Sequence, residues 1–356
     1  MSIVKLARPE IRALRAYRAA EQVDDTIRLN ANESPRPNTI GNFRRPLNRY
    51  PEVRPQALRR KLAERFGCAP ERLLVTRGSS EAIDLVIRAF CRSGRDGVLI
   101  TTPSFEMYRH YAAVQGAPLV EVPTRAERDF AIDVDDVLSA CDETTRLIFV
   151  CSPNNPTGTS LPVAQLEALL AARRDSSAVV VDEAYVEFGE APSVVGLMAR
   201  YDNLLVLRTL SKALGFAGAR CGAVAGRAEV IELLSAVQAP YALATPVVEC
   251  VEDAFRSEQL ALAEATVAGV IGERERLAAA LAGYDFVSKV WPSDANFLLV
   301  RVADAKRVMR ACARDNVLLR HFGGDLDDCI RITVGSRGEN DRLLDVLDGI
   351  GETADG

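Results

Sequence analysis

Between about Leu73 and Ala225 the chain alternates short aliphatic runs with segments whose apolar residues recur every three to four positions. The runs fall at 73–76, 98–101, 147–150, 178–181 and 204–207, and each is bounded by turn residues. Apolar residues at successive positions, rather than alternate ones, predict strands buried on both faces. Helical periodicity intervenes at 81–90 and 163–173, and 56–66 reads as a further helix. Strands alternating with helices predict a mostly parallel sheet covered by helices on both faces. From 246 to 281 the pattern becomes one long helical stretch rich in Ala, Glu and Leu. Beyond it, strand patterns at 296–300 and 330–334 and helices at 303–314 and from Glu339 predict a smaller α+β unit. The opening 45 residues carry no core pattern of their own and are expected to pack on that unit. The expected division is an arm and part of the small domain at 1–45, a large domain at 46–255 and a small domain at 256–356.

Composition narrows the classes of function. At 356 residues two domains are the natural expectation, and 48% hydrophobic with 26% charged residues suits a folded protein. The net charge of −5 leaves no basic field for a nucleic-acid backbone. The first residues lack a signal-peptide core, and no apolar stretch reaches the length of a membrane span. Eight cysteines include no C-x-x-C pair and sit mostly in apolar runs, as expected of buried reduced thiols. Two histidines, His110 and His321, do not suggest a zinc site. The cytoplasm is the expected location.

Four fragments carry candidate chemistry. Thr209-Leu-Ser-Lys212 places a lysine just past a buried strand, where lost solvation lowers the amine pKa, as a Schiff-base lysine requires. An ordinary turn lysine would look the same. Asp182, in Val179-Val-Val-Asp182-Glu-Ala-Tyr185, ends a strand at the sheet edge where ligands bind in open α/β folds. A carboxylate there would keep a pyridinium nitrogen protonated; a metal-binding Asp-Glu pair or a helix-capping carboxylate are the alternatives. In Cys151-Ser-Pro-Asn-Asn-Pro-Thr-Gly158 two prolines and a glycine present Asn155 from a rigid turn. Thr76-Arg-Gly-Ser79-Ser80-Glu81, between a strand and a helix, forms either a phosphate cradle or a simple N-cap. It matches neither a Walker loop nor G-x-G-x-x-G.

In this order, and with Gly218-Ala-Arg220-Cys-Gly222 after the lysine, these fragments resemble the fold type I, aspartate-aminotransferase-like family of enzymes dependent on pyridoxal 5′-phosphate (PLP). The resemblance runs from the first residues to the last helix. Within that superfamily the chain is similar to the histidinol-phosphate aminotransferases, through Leu29-Asn-Ala-Asn-Glu-Ser-Pro35, Arg49-Tyr-Pro51, Ala239-Pro-Tyr241 and Ile330-Arg-Ile-Thr-Val-Gly335.

The resemblance implies a large domain with a mostly parallel sheet between helices, a smaller α+β domain and a cytoplasmic homodimer with shared active sites. It implies that Lys212 carries the cofactor and shuttles a proton, that Asp182 pairs with the pyridinium nitrogen, and that Asn155 and Tyr185 donate to the ring's phenolate. Phe105 would stack on the ring. Ser79, Ser80, Ser211 and Arg220 would hold the phosphate, together with Tyr50 from across the dimer interface. Arg331 would anchor an acidic substrate group, with Arg320 as a second phosphate ligand, Asn155 nearby and Tyr17 at the imidazole end. The implied reaction moves an amino group between glutamate and imidazole-acetol phosphate in histidine biosynthesis. Rivals on the same fold are an aromatic-amino-acid transaminase and a threonine-phosphate decarboxylase; a PLP-binding regulator would need a DNA-binding domain for which no residues remain. Two features depart from the family pattern: Gly78-Ser-Ser-Glu81 lacks the acidic residue that many members carry after Gly-x, and the loop between Pro37 and Pro46 is short.

Overall fold

The computed structural model describes residues 2–16 and 43–352. Seven strands form the large sheet: β1 (Leu73–Thr76), β2 (Gly97–Thr102), β3 (Leu119–Pro123), β4 (Thr145–Cys151), β5 (Ala178–Asp182), β6 (Leu204–Thr209) and β7 (Gly222–Ala225). Their order is β1-β7-β6-β5-β4-β2-β3. The β2, β3, β4, β5 and β6 pairings are parallel, and β7 runs antiparallel to both β6 and β1. Successive side chains point to opposite faces of a strand, so Val179 and Val181 enter one core with Leu99, Ile148 and Val206. Ala178 and Val180 enter the other with Ile100, Phe149 and Leu207. This two-sided burial is why the strands read as continuous aliphatic runs. A fully buried aliphatic side chain of this kind contributes roughly 1.5–3 kcal/mol. Edge strand β3 and the short antiparallel β7, Gly-Ala-Val-Ala, lack that signature and are not evident from the pattern.

The smaller sheet is antiparallel throughout: β8 (Val287–Val290), β9 (Phe297–Val302), β10 (Arg320–His321) and β11 (Cys329–Thr333), in the order β10-β11-β9-β8. Helices Ala305–Arg314 and Arg337–Glu352 pack on it around Leu298, Val300, Ile330 and Leu347.

Two expectations are corrected here. The stretch 246–281 is not one helix but two, Thr245–Ala254 and Ser257–Leu281, separated where Arg256 takes up an extended backbone. No glycine or proline marks the break. Phe255 packs on the large core while Val267 and Val270 of the second helix pack at the domain junction, and the two directions of packing require the bend. The opening segment, as far as residues 2–16 show it, lies on the large domain and not the small one. Ile3 is fully buried beside Ile83 and Phe90, and the Arg8 N–H donates to Ala89 O at 3.0 Å. Ala7 is buried with it, Arg8 Nη1 donates to Arg88 O at 3.1 Å and Lys5 pairs with Asp175 at 3.2 Å, which together dock the segment. Arg44 and Arg45 also face the large domain, their N–H groups donating to the buried Glu249 carboxylate at 3.0 and 2.7 Å. Among the described residues no helix is long and apolar enough to cross a membrane.

Candidate active site

The sheet register collects the four fragments on one edge. Cys151 pairs with Asp182 and Asp182 with Leu207, while Thr209 and Thr76 both pair with Gly222. The loop holding Asn155, the carboxylate of Asp182, the Thr209-to-Lys212 turn, Arg220 and the start of the helix Gly78–Phe90 therefore all leave the sheet on the same side. The parallel strands end together, so residues distant in sequence meet.

Asp182 is almost wholly buried at the end of β5. The Tyr108 hydroxyl donates to its Oδ2 at 2.8 Å and the Ala184 N–H to its Oδ1 at 3.1 Å. Burial nevertheless raises its pKa to about 6, against the lowering effect of those hydrogen bonds and of Lys212. Among the described residues no cation is bonded directly to this buried carboxylate. Its neighbour Glu183 is not part of a shared site: it accepts Ser193 Oγ at 2.5 Å and the Val194 N–H at 2.6 Å, and pairs with Arg208 at 3.4 Å. The alternation of strand faces separates the two carboxylates, and the metal-pair alternative fails on that geometry.

Lys212 opens to the cleft on one side. Surrounding protein lowers its pKa by desolvation, reinforced by Arg331 and Arg220 and opposed by Asp182. Its Nζ lies 5.6 Å from the centre of the Tyr185 ring. Burial pushes the Tyr185 hydroxyl well above the usual tyrosine range, so it stays protonated. Asn155 Nδ2 donates to that hydroxyl at 3.3 Å, and Arg331 Nη1 donates to Asn155 Oδ1 at 2.5 Å. Lysine, tyrosine, asparagine and arginine thus form one connected group spanning both domains. The loop is fixed against the small domain at Gly158, whose φ is +80° and where an added Cβ would lie 2.3 Å from Ser293 Oγ. Only glycine meets both demands.

The phosphate-cradle fragment opens the helix Gly78–Phe90, and neither Ser79 nor Ser80 caps it. The buried Glu81 carboxylate reaches back to accept the N–H of Arg77, the residue before the helix, at 2.6 Å. The first-turn N–H groups of the helix face the sheet edge unclaimed by a side-chain cap. Across from them the Arg220 guanidinium would lie 2.8 Å from a Cβ on Gly78, so glycine is what admits it. Arg220 Nη1 also donates to Ser211 Oγ at 3.4 Å. Helix donors, a serine and a guanidinium brought this close fit a phosphate, and the uncompensated Asp182 fits a protonated ring nitrogen. The residues present therefore suit a phosphorylated pyridine cofactor.

Phe105 is partly buried and meets Tyr108 edge-on at 5.8 Å. Tyr50 is half exposed, and its ring stacks on Tyr241 of the same chain at 4.6 Å. Arg331 and Arg320 are opposed across the β11–β10 ladder. Tyr17 and the fragment 29–35 lie outside the described residues. Sequence reading missed Tyr108 as the partner of Asp182. It stands three residues after Phe105, and helical periodicity across Met107–Gln115 would have placed it inward.

A model of the aminotransferase class I and II family matches residues 24–347. A histidinol-phosphate aminotransferase of Xanthomonas campestris pv. campestris (strain 8004) is 44% identical over 355 residues, covering 97% of each chain. The crystal structure of the histidinol-phosphate aminotransferase from Clostridium acetobutylicum superposes with a TM-score of 0.78 at 22% identity, over 86% of this chain and 92% of that one. That from Sinorhizobium meliloti, in complex with pyridoxal-5′-phosphate, superposes with a TM-score of 0.76 at 21% identity, over 86% and 84%. At those identities the two structures speak for the fold alone.

Proposed function

Since this chain belongs to the aminotransferase class I and II family, we propose that it is a PLP-dependent histidinol-phosphate aminotransferase. It converts imidazole-acetol phosphate and glutamate to histidinol phosphate and 2-oxoglutarate. It acts in the cytoplasm as a homodimer. The observation that carries the substrate reading is the Arg320–Arg331 pair, two guanidinium groups opposed on neighbouring strands. Of the acids in the turn between them, Asp328 pairs with Arg301 and Asp327 lies by Lys306 and His321. An arginine pair that forms no ion pair among the described residues suits a dianion, since planar guanidinium donors grip phosphate bidentately.

Bound PLP supplies an electron sink for the substrate α-carbon. The chain's residues do the rest. Asp182 holds a proton on the ring nitrogen, while Tyr185 and Asn155 direct donors at the ring oxygen. The Gly78 helix start, Ser79, Ser80, Ser211 and Arg220 bind the phosphate, and Phe105 covers the ring. Lys212, whose pKa is lowered by desolvation and by Arg331 and Arg220, holds the cofactor and moves the α-proton. Arg331 orients the acidic group of either substrate, and the Arg331–Asn155–Tyr185 hydrogen bonds tie that orientation to the ring oxygen. Tyr17 serves the imidazole end.

The test of the substrate reading is turnover of histidinol phosphate, phosphothreonine and phenylalanine, each with 2-oxoglutarate, in wild type and Arg320→Ala. Loss of a charge-assisted contact lowers kcat/KM for histidinol phosphate by about 10- to 100-fold, while phenylalanine changes little. Equal losses on both would make Arg320 structural and favour an aromatic-amino-acid transaminase. Preferential turnover of phosphothreonine would favour the decarboxylase.

The shared-site proposal has its own test. Tyr50 would reach the cofactor phosphate of the partner subunit, and the preceding-proline restraint of Pro51 keeps its backbone extended. Mixing inactive Lys212→Ala and Tyr50→Ala homodimers yields about half mixed dimers, each with one intact site, so roughly a quarter of all sites recover. Exchange without recovered activity would confine Tyr50 to its own chain, where it stacks on Tyr241.

A further inference from the structure

Opposed like charges destabilise an antiparallel strand pair, yet Arg320 and Arg331 are register partners and, among the described residues, no carboxylate forms an ion pair with either. What they share is a ring. The guanidinium carbon of Arg320 lies 5.7 Å, and that of Arg331 5.8 Å, from the centre of Phe322. Phe322 follows Arg320 by two residues, just past the end of β10. The ring is backed by the cluster of Trp291, Leu326, Leu299 and Phe130. Phe130 comes from the large domain, in a left-handed turn with Asp129 whose carboxylate pairs with Lys289 at 3.0 Å. The platform under the two arginines is therefore seated on the junction of the domains.

An aromatic face attracts cations without occupying their N–H donors. A carboxylate in its place would neutralise the pair but bind the donors that a substrate needs. An aliphatic residue would leave the donors free and the charges to push apart. Histidinol phosphate carries its phosphate where an amino acid carries its α-carboxylate, so the dianion calls for a second guanidinium and the carboxylate for one.

We infer that Phe322 is a specificity-determining positioning residue, a shared aromatic platform that holds Arg320 and Arg331 side by side as a clamp for the substrate phosphate. This rests on the proposed substrate reading. The experiment measures steady-state kinetics of the holoenzyme for wild type, Phe322→Leu and Phe322→Tyr. Histidinol phosphate and glutamate are the varied substrates, and inorganic phosphate is the competitive inhibitor. In Phe322→Leu the KM for histidinol phosphate and the Ki for phosphate rise about tenfold with the loss of two cation–π contacts. In that variant kcat and the KM for glutamate change little, and Phe322→Tyr restores the wild-type values. Unchanged phosphate Ki in Phe322→Leu overturns the inference, and so does equal impairment of the leucine and tyrosine variants on both substrates, the mark of a packing role. If wild type fails to turn over histidinol phosphate, the substrate reading falls, while the phosphate Ki of wild type against Phe322→Leu still decides the clamp.

Discussion

Lys212→Ala is expected to yield a folded protein that binds PLP without covalent attachment and has lost turnover by at least about 10⁴-fold. The lysine sits in the turn after β6, beside the cleft, and its backbone makes no strand pairing that alanine would disturb. Desolvation, Arg331 and Arg220 lower its pKa, the direction that favours the neutral amine able to add to a carbonyl. One substitution removes both the attachment point and the group that moves the α-proton. Borohydride treatment of the wild-type holoenzyme should fix the cofactor on the peptide containing Lys212, and absorption spectra should show the bound form change in the variant. A modified peptide carrying another lysine, or retained turnover in Lys212→Ala, would refute the assignment.

Asp182→Asn should act in opposite directions on the two forms of the protein. In the cofactor-free protein the carboxyl is buried and titrates near 6 rather than at 3.8. A raised folded-state pKa means that the folded protein binds more protons than the unfolded chain between those values. Stability therefore falls as pH rises from about 4 to about 6 and stays reduced above it, by an amount on the order of 3 kcal/mol at most. Asparagine carries no charge and escapes this penalty, so at pH 8 the cofactor-free variant should melt no lower than wild type. In the holoenzyme the ionised carboxylate meets a protonated ring nitrogen and the penalty turns into attraction, which asparagine cannot supply. Turnover should then drop by about 10²- to 10³-fold, the usual scale for a preorganised charge partner in a dry site. KM should move less than kcat. Thermal melts across pH and steady-state kinetics check both halves. Wild-type kcat in the variant would mean that the ring nitrogen points elsewhere.

The two-sided aliphatic strands were legible because burial on both faces leaves no polar alternation, and each expected strand appears within two residues of its place. The weak elements were not legible. β3 at the edge is half exposed, β7 consists of small residues, and the two-residue β10 exists only because β11 pairs with it. The break at Arg256 carries no local signal, since packing on two different domains and not helix propensity sets it. The Asp182 and Lys212 fragments stood out for a local reason: a charged residue directly after a buried strand is costly unless something uses it.

Residue order alone determined the alternating α/β unit, the strand-end positions of Asp182 and Lys212 and the glycines at 78 and 158. Those features depend on neighbours within a few positions, on strand burial and on backbone angles. Only the tertiary structure decided who meets whom. Parallel register brought Asn155, Asp182 and Lys212 to one edge, and the helix Met107–Gln115 delivered the Tyr108 hydroxyl to Asp182. The turn of the second sheet set Arg320 against Arg331, and the domain junction placed Phe322 beneath both. Such contacts join residues far apart in the chain, and no local preference encodes them, because they are fixed by how the buried faces of two sheets pack.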